Sequence, residues 1–435
     1  MIRFKRSGLV VGASAAAIVV GALSSSAAFA GTAPAAPAND AQFTTQGGVA
    51  PQFLPNAETI PHWTFQYTDP TNGVTYPITM VGSDPRGSGS TTIPVVIIPL
   101  KLNFVAAGQN TSVLNDYFGS DPGFRATPVN HTFDGSSKVG QTLASPVFSS
   151  NGYDADLGGD SGQFGDAYMR AQFNKIGSTY HVKLSATTLP TQTLDVPATK
   201  GIAYVRPAGA LTGTAEVTWF STQLQSLMGS LQISAKTLPL FLTDNVLLYQ
   251  RTYDNCCILG YHGAGMPIGH GAGSANGNGK QPVQTFAYSA YVTPGTYSGF
   301  LPHDYTGNRT APSPTRGLSD IHALSHELAE WLDDPFVNNA VQPWKVASAP
   351  QYGCTGVLEV GDPVVGVWFG MNGNSDANAY GQWHPEDEVF AQWFGRGGVE
   401  PVVGSSWDGR FTFMGPRTTS INANLANFAH YAGNC

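Results

Sequence analysis

The chain has 435 residues, of which only 11% are charged, and its 21 lysines and arginines against 29 aspartates and glutamates give a net charge of −8. That acidic balance speaks against nucleic acid or an anionic lipid surface as a partner. Sparse charge with 51 glycines and 30 prolines is the composition of turn-rich, largely β structure, well below the roughly 25% charge of an ordinary domain.

Residues 1–30 read as a secretory leader. Arg3, Lys5 and Arg6 precede an apolar stretch over 9–23, and Ala28-Phe29-Ala30 offers a small-x-small cleavage site. Cleavage after Ala30 implies a secreted, extracellular protein. Losing those three basic residues leaves 18 against 29 acids, a net −11. No later segment offers about 18 unbroken apolar residues, so no membrane span is expected. Residues 31–56, rich in Ala and Pro, form a linker.

Two regions follow, a β-rich one over 57–245 and a metal-binding, catalytic one over 246–435. Strand-like runs occupy 64–67, 76–80, 93–104, 180–184 and 201–205, and a further run, 240–250, crosses the boundary. Pro94 and Pro99 predict a sheet edge or a bulge for the third run, because proline has no N–H to give a ladder. Residues 154–160 hold three aspartates among glycines but lack the twelfth-position glutamate of an EF loop, so a polar turn is expected. Helices are predicted over 160–175 and 216–231. Residues 260–279 form a Gly- and Asn-rich loop without the strand–helix context of a phosphate cradle, and read as a flap bordering the active site. Residues 286–292 alternate like a strand. Four cysteines, 256, 257, 354 and 435, suggest two disulfides in an exported chain, with each of the adjacent pair bonded to Cys354 or Cys435.

Residues 319–335 carry the chemistry. With His322 as origin, His326, Glu330 and Asp333 fall within about 80° of the helical wheel, while Ile321, Leu324, Leu328, Trp331 and Leu332 fill the opposite side. Ser319 or Asp320 is placed to cap the start, and Pro335 ends the helix. His322 and Glu330 are about 12 Å apart along the axis, so one cation takes either His322 with His326 or His326 with Glu330. The second pair is preferred, because only it puts a glutamate, Glu327, directly after the first ligand. His322 then becomes an outer or substrate-facing group. A third ligand must come from elsewhere: Glu359 or Asp362 in a Gly-rich strand about 30 residues on, or, farther off, His384, His262 or His270.

His326-Glu327-Leu328-Ala329-Glu330 resembles the H-E-x-x-H helix of the zincin metallopeptidases, with glutamate in place of the second histidine. The longer string through Asp334-Pro335, with Glu359 and Asp362 after it, is similar to a pattern in secreted bacterial proteins. The resemblance covers about residues 286–365. It implies His326, Glu330 and Glu359 (or Asp362) as ligands of zinc and Glu327 as general base. The oxygen-rich ligand set leaves calcium or manganese open.

The expected fold is therefore α+β: a β-rich exported protein with a C-terminal zincin-like half built around one metal-binding helix. The expected function is a secreted metal-dependent hydrolase, a metallopeptidase acting on a peptide or cell-wall polymer. The alternative is a non-catalytic exported β-protein that binds cell wall or carbohydrate over a structural ion. Six of the eight tryptophans lie beyond residue 330. Trp331 belongs to the apolar helix face, and any single tryptophan is expected in the core, with Trp383 and Trp393 the candidates for a binding rim.

Overall fold

The computed structural model describes residues 57–69, 73–106, 127–205, 211–251, 256–265, 280–293, 320–344, 354–364, 367–371, 383–394 and 406–416. The expected leader, the linker, His270 and Cys435 lie outside them. The described chain is β-rich, with several sheets and a few helices, and none of its helices is long and apolar enough to cross a membrane.

Ser90–Phe104 organises the molecule. It pairs in parallel with Leu238–Asp244 on one side and with His181–Thr188 on the other, and Leu238–Asp244 in turn pairs in parallel with Gln284–Tyr291. Gly260–Gly265 closes that side as an antiparallel edge, and His131–Asp134 and Gln192–Val196 complete seven strands. This sheet runs across the expected boundary at residue 245, so 57–245 and 246–435 share one sheet. Both of its faces are covered. Ile93, Val95 and Ile97 point into one core, Val96, Ile98 and Leu100 into the other, as a period of two requires.

Several expectations are corrected. The 93–104 run is central, not an edge. Its prolines are tolerated because each lacks its N–H where a flank has no partner. Pro94 precedes the start of Leu238–Asp244 pairing at Val95. Pro99 falls between the last His181–Thr188 partner, Ile97, and the first Gln192–Val196 partner, Leu100. The 240–250 run is two strands, Leu238–Asp244 and Val246–Tyr249, in different sheets. Asn245 turns the chain between them with φ 53°, a left-handed conformation that asparagine accepts more readily than most residues. The predicted 260–279 loop begins as the edge strand Gly260–Gly265, and 266–279 lies outside the described residues.

Helix Phe164–Gln172 is shorter than predicted, and Val217–Leu231 starts where Glu216 accepts from Thr218 and Trp219 N–H. In the 154–160 turn, Asp154 accepts from Leu157 N–H at 3.1 Å and Asp160 pairs with Arg170 at 3.1 Å, both structural uses. Trp331, Trp344, Trp368, Trp383 and Trp393 are all buried, so neither rim candidate is free to grip a ligand. Cys257 and Cys354 carry no free thiol.

The chemically loaded helix is His322–Asp333, packed against Gln284–Tyr291 and Gly260–Gly265. Trp331 Nε1 donates to Thr285 Oγ1 at 3.0 Å. The helix end is tied down as well. Asp333 accepts from Tyr168 Oη and Gln172 Nε2, both at 2.8 Å, and Asn339 exchanges two 2.8 Å bonds with the Thr79 backbone of the His62–Thr68/Thr75–Val81 hairpin.

Burial raises the Asp333 pKa from 3.8 to about 7, against the pull of its Gln172 and Tyr168 bonds. Between these values the unfolded chain holds Asp333 ionised and the folded chain holds it protonated, so folding takes up a proton and acid favours it. Relative to Asp333→Asn, the wild type is expected to lose on the order of 4 kcal/mol as pH rises from about 4 to 7. Denaturant unfolding of both proteins across that window checks the sign.

Candidate metal centre

All twelve residues of His322–Asp333 are buried, so the polar side of this amphipathic helix faces a polar interior. Its start differs from the expected cap. Asp320 accepts from Ile321 N–H at 2.5 Å and from His384 N–H at 3.1 Å, and its Oδ2 lies 2.8 Å from His384 Nδ1. His384 is thus engaged by Asp320 and set edge-on to Trp368, ring centroids 5.0 Å apart.

Two loop segments cover the polar side. Residues 358–364 bring Glu359 and Asp362; Glu359 follows the short strand Thr355–Val357, and Asp362 opens the turn Asp362–Val364. Residues 383–390 bring Glu386 and Glu388. The two are joined by Val389 N–H donating to Val360 O at 2.9 Å. Both are bonded to the helix: Gly361 N–H donates to Glu330 Oε1 at 3.2 Å and Glu386 N–H to Ser325 Oγ at 2.9 Å.

The expected ligand pair is adjacent. His326 Nε2 lies 3.0 Å from Glu330 Oε1 and 3.9 Å from Asp362 Oδ1, and ligand atoms of these three residues all lie within 4.8 Å of one another. Of the two third-ligand candidates, Asp362 is therefore the one beside His326. Glu359 sits instead by the edge strand, its Oε2 3.9 Å from His262 Nε2. His322 is turned to the outer carboxylate, its Nε2 3.1 Å from Glu386 Oε2. Glu327, expected beside the metal as a base, has its Oε2 3.4 Å from His262 Nδ1.

Glu386 also holds His326, with its Oε2 2.7 Å from Nδ1. A carboxylate on one ring nitrogen leaves the other for a metal, the usual support of a histidine ligand. Among the described residues, His326 Nε2 finds no hydrogen-bond partner of good geometry despite its close carboxylates, and neither do Glu327 Oε1, Glu359 Oε1 or either oxygen of Asp362 and Glu388.

Charge makes the same point. Glu327, Glu330, Glu359, Asp362, Glu386 and Glu388 are each at most 1% exposed. Between described residues their ion pairs are all to imidazoles. Burial first, and then the neighbouring Glu330, push the carboxyls of Glu327, Glu359 and Asp362 far above their ordinary range. Burial, only partly offset by His326, does the same to Glu388. Burial also raises Glu386, but His322 and His326 together outweigh it and lower the net value. Burial lowers the His326 pKa, yet Glu330 and Glu386 outweigh it and hold the ring protonated well above its usual range. For His262 burial prevails, and the pKa falls. A cluster of this kind exists either protonated or around a cation, since each bare buried charge costs several kcal/mol. Imidazole and carboxylate donors with vacant lone pairs fit a divalent cation.

Two glycines give the side chains room. A Cβ at Gly361 would overlap the His326 ring, and one at Gly260 would lie 2.6 Å from Glu327 Cγ. Sequence reasoning placed His262 only among the farther candidates and gave Glu386 and Glu388 no role in the site. The signal for His262 was the alternation in 260–264, which turns 260, 262 and 264 to one face. Nothing in the sequence pattern singled out Glu386.

Comparison with protein-family models, with curated proteins and with solved structures finds no match.

Gly361→Ala is expected to weaken metal binding about 10- to 100-fold, the usual cost of disturbing a ligand's support. A competition titration against a chelator, with circular dichroism to confirm folding, checks this.

Proposed function

We propose that this chain is a secreted metal-dependent hydrolase that cleaves amide bonds in a peptide or cell-wall polymer. The observation that carries the reading is the convergence of His326, Glu330 and Asp362 in an interior where, among the described residues, the ion pairs of the two carboxylates are to imidazoles. His326, Glu330 and Asp362 would hold the cation, with Glu386 orienting the His326 ring. Zinc or manganese suits these donors. When bound, a divalent cation polarises a carbonyl and acidifies water.

The remaining work belongs to the chain. Glu327 Oε1 has no hydrogen-bond partner and is the proton acceptor, able to pass that proton to a leaving amine. Burial and the repulsion of Glu330 raise its pKa. Gly260 leaves the space in which Glu327 turns. The expected export leader and the oxidised state of Cys257 and Cys354 accord with work outside the cell.

Complete burial of these ligands favours one other reading, a structural ion beneath a non-catalytic binding protein. Glu327 separates the two, because only hydrolysis needs its proton transfer. Metal analysis of residues 31–435 is expected to show loss of metal in His326→Ala. A peptide-library assay is expected to show Glu327→Gln slower by about 10²–10⁴-fold, the range for a lost general base. A metal-loaded wild type without hydrolytic activity in peptide and cell-wall assays would favour the structural ion.

A further inference from the structure

We propose that this centre holds two divalent cations, the second between His262, Glu327 and Glu330, with Glu330 bridging the pair. The inference rests on the first cation at His326, Glu330 and Asp362 and adds to it.

Glu330 divides its oxygens. Oε1 lies 3.0 Å from His326 Nε2, and Oε2 lies 3.7 Å from His262 Nδ1. Ligand atoms of His262, Glu327 and Glu330 form a second set within 4.8 Å of one another, separate from the first except for the shared glutamate. A carboxylate that offers one oxygen to each of two cations holds them at about the 3.5–4 Å spacing of two-metal hydrolytic sites.

The hydrogen bonding of His262 points to a cation independently. Its Nε2 lies 3.2 Å from the backbone carbonyl of Asp334, which only accepts, so Nε2 carries the ring proton. Nδ1 of the neutral ring is then a lone pair, and it faces Glu327 Oε2 at 3.4 Å and Glu330 Oε2 at 3.7 Å. Three electron-rich atoms directed at one point need a proton or a cation between them, and these separations exceed the roughly 2.5–3.2 Å of an ordinary hydrogen bond, which favours a cation. The ring is buried, 5% exposed, so bulk water does not relieve their repulsion.

The edge strand is shaped for the second ion: His262 stands two residues from Gly260, on the face where the missing Cβ admits Glu327. Glu327 Oε2 then binds the second cation while Oε1 remains the proton acceptor. One imidazole nitrogen with two carboxylate oxygens at each position suits manganese or zinc better than calcium, which takes six to eight oxygens.

The test is a manganese titration of the full chain after chelator treatment, read by metal analysis and by electron paramagnetic resonance of frozen samples. Two ions per chain are expected at saturation, with the spectrum of isolated Mn²⁺ giving way to that of an exchange-coupled pair. His262→Gln is expected to keep one ion per chain and to stay at the isolated-ion spectrum. Wild type that saturates at one ion, with an isolated-ion spectrum throughout, overturns the second site and leaves the first intact. Wild type that takes up no metal overturns both. The wild-type spectrum decides the matter even where His262→Gln fails to fold.

Discussion

Neutralising a group of carboxyls buried in the interior is the constraint on which the rest of this structure depends. Glu327, Glu330, Glu359, Asp362, Glu386 and Glu388 are buried together, and their ion partners among described residues are His262, His322 and His326. A desolvated carboxylate costs several kcal/mol, against a total folding stability of about 5–15 kcal/mol for a typical protein. Six of them in one network are compatible with a folded chain only when protons or cations neutralise them. The segments that deliver them, 358–364 and 383–390, contain little regular structure. They are held by single bonds to the helix, such as Gly361 N–H to Glu330 and Glu386 N–H to Ser325. Order in these loops and neutralisation of the cluster are therefore linked.

The sheet supplies the rigid side of the same arrangement. Gly260–Gly265 and Gln284–Tyr291 carry the helix, and Trp331 fixes its rotation through Thr285. Rotation matters because His326 and Glu330 share one cation only if both stay on the side facing the loops. Tyr168 reinforces this from a distance, its hydroxyl lying 2.8 Å from Asp333 Oδ2 at the helix end and 2.8 Å from Val389 O in the loop that bears Glu388. One hydroxyl thus ties the helix to the covering segment. The Phe164–Gln172 helix, far from the site in sequence, is part of its scaffold.

Charged residues inside a helix that is apolar on its other side create an interior with two characters. Leu324, Leu328, Trp331 and Leu332 lie in the aliphatic and aromatic core, while His326, Glu327 and Glu330 lie in the acidic network. The helix is the partition between them. Apolar replacement of Glu330 or Glu386 would remove a charge and also a bond between helix and loop, Gly361 N–H to Glu330 Oε1 or His326 Nδ1 to Glu386 Oε2.

The amino-acid sequence alone determined the local features. The period of 3.6 placed His326 and Glu330 side by side on a helix that Pro335 ends, an apolar run marked 93–104 as a strand, and alternation marked 286–292. These depend on neighbours in the chain, which is why they were legible. Only the tertiary structure decided which distant groups meet. It put Asp362 beside His326 and sent Glu359 to His262, although both acids lie within four residues of each other. It brought Glu386 to two histidines more than fifty residues away in sequence. It also placed a proline-bearing strand at the centre of a sheet, because local propensity says nothing about which flank of a strand will find a partner. Ligand selection follows from the packing of loops across a helix, and packing is a property of the whole chain.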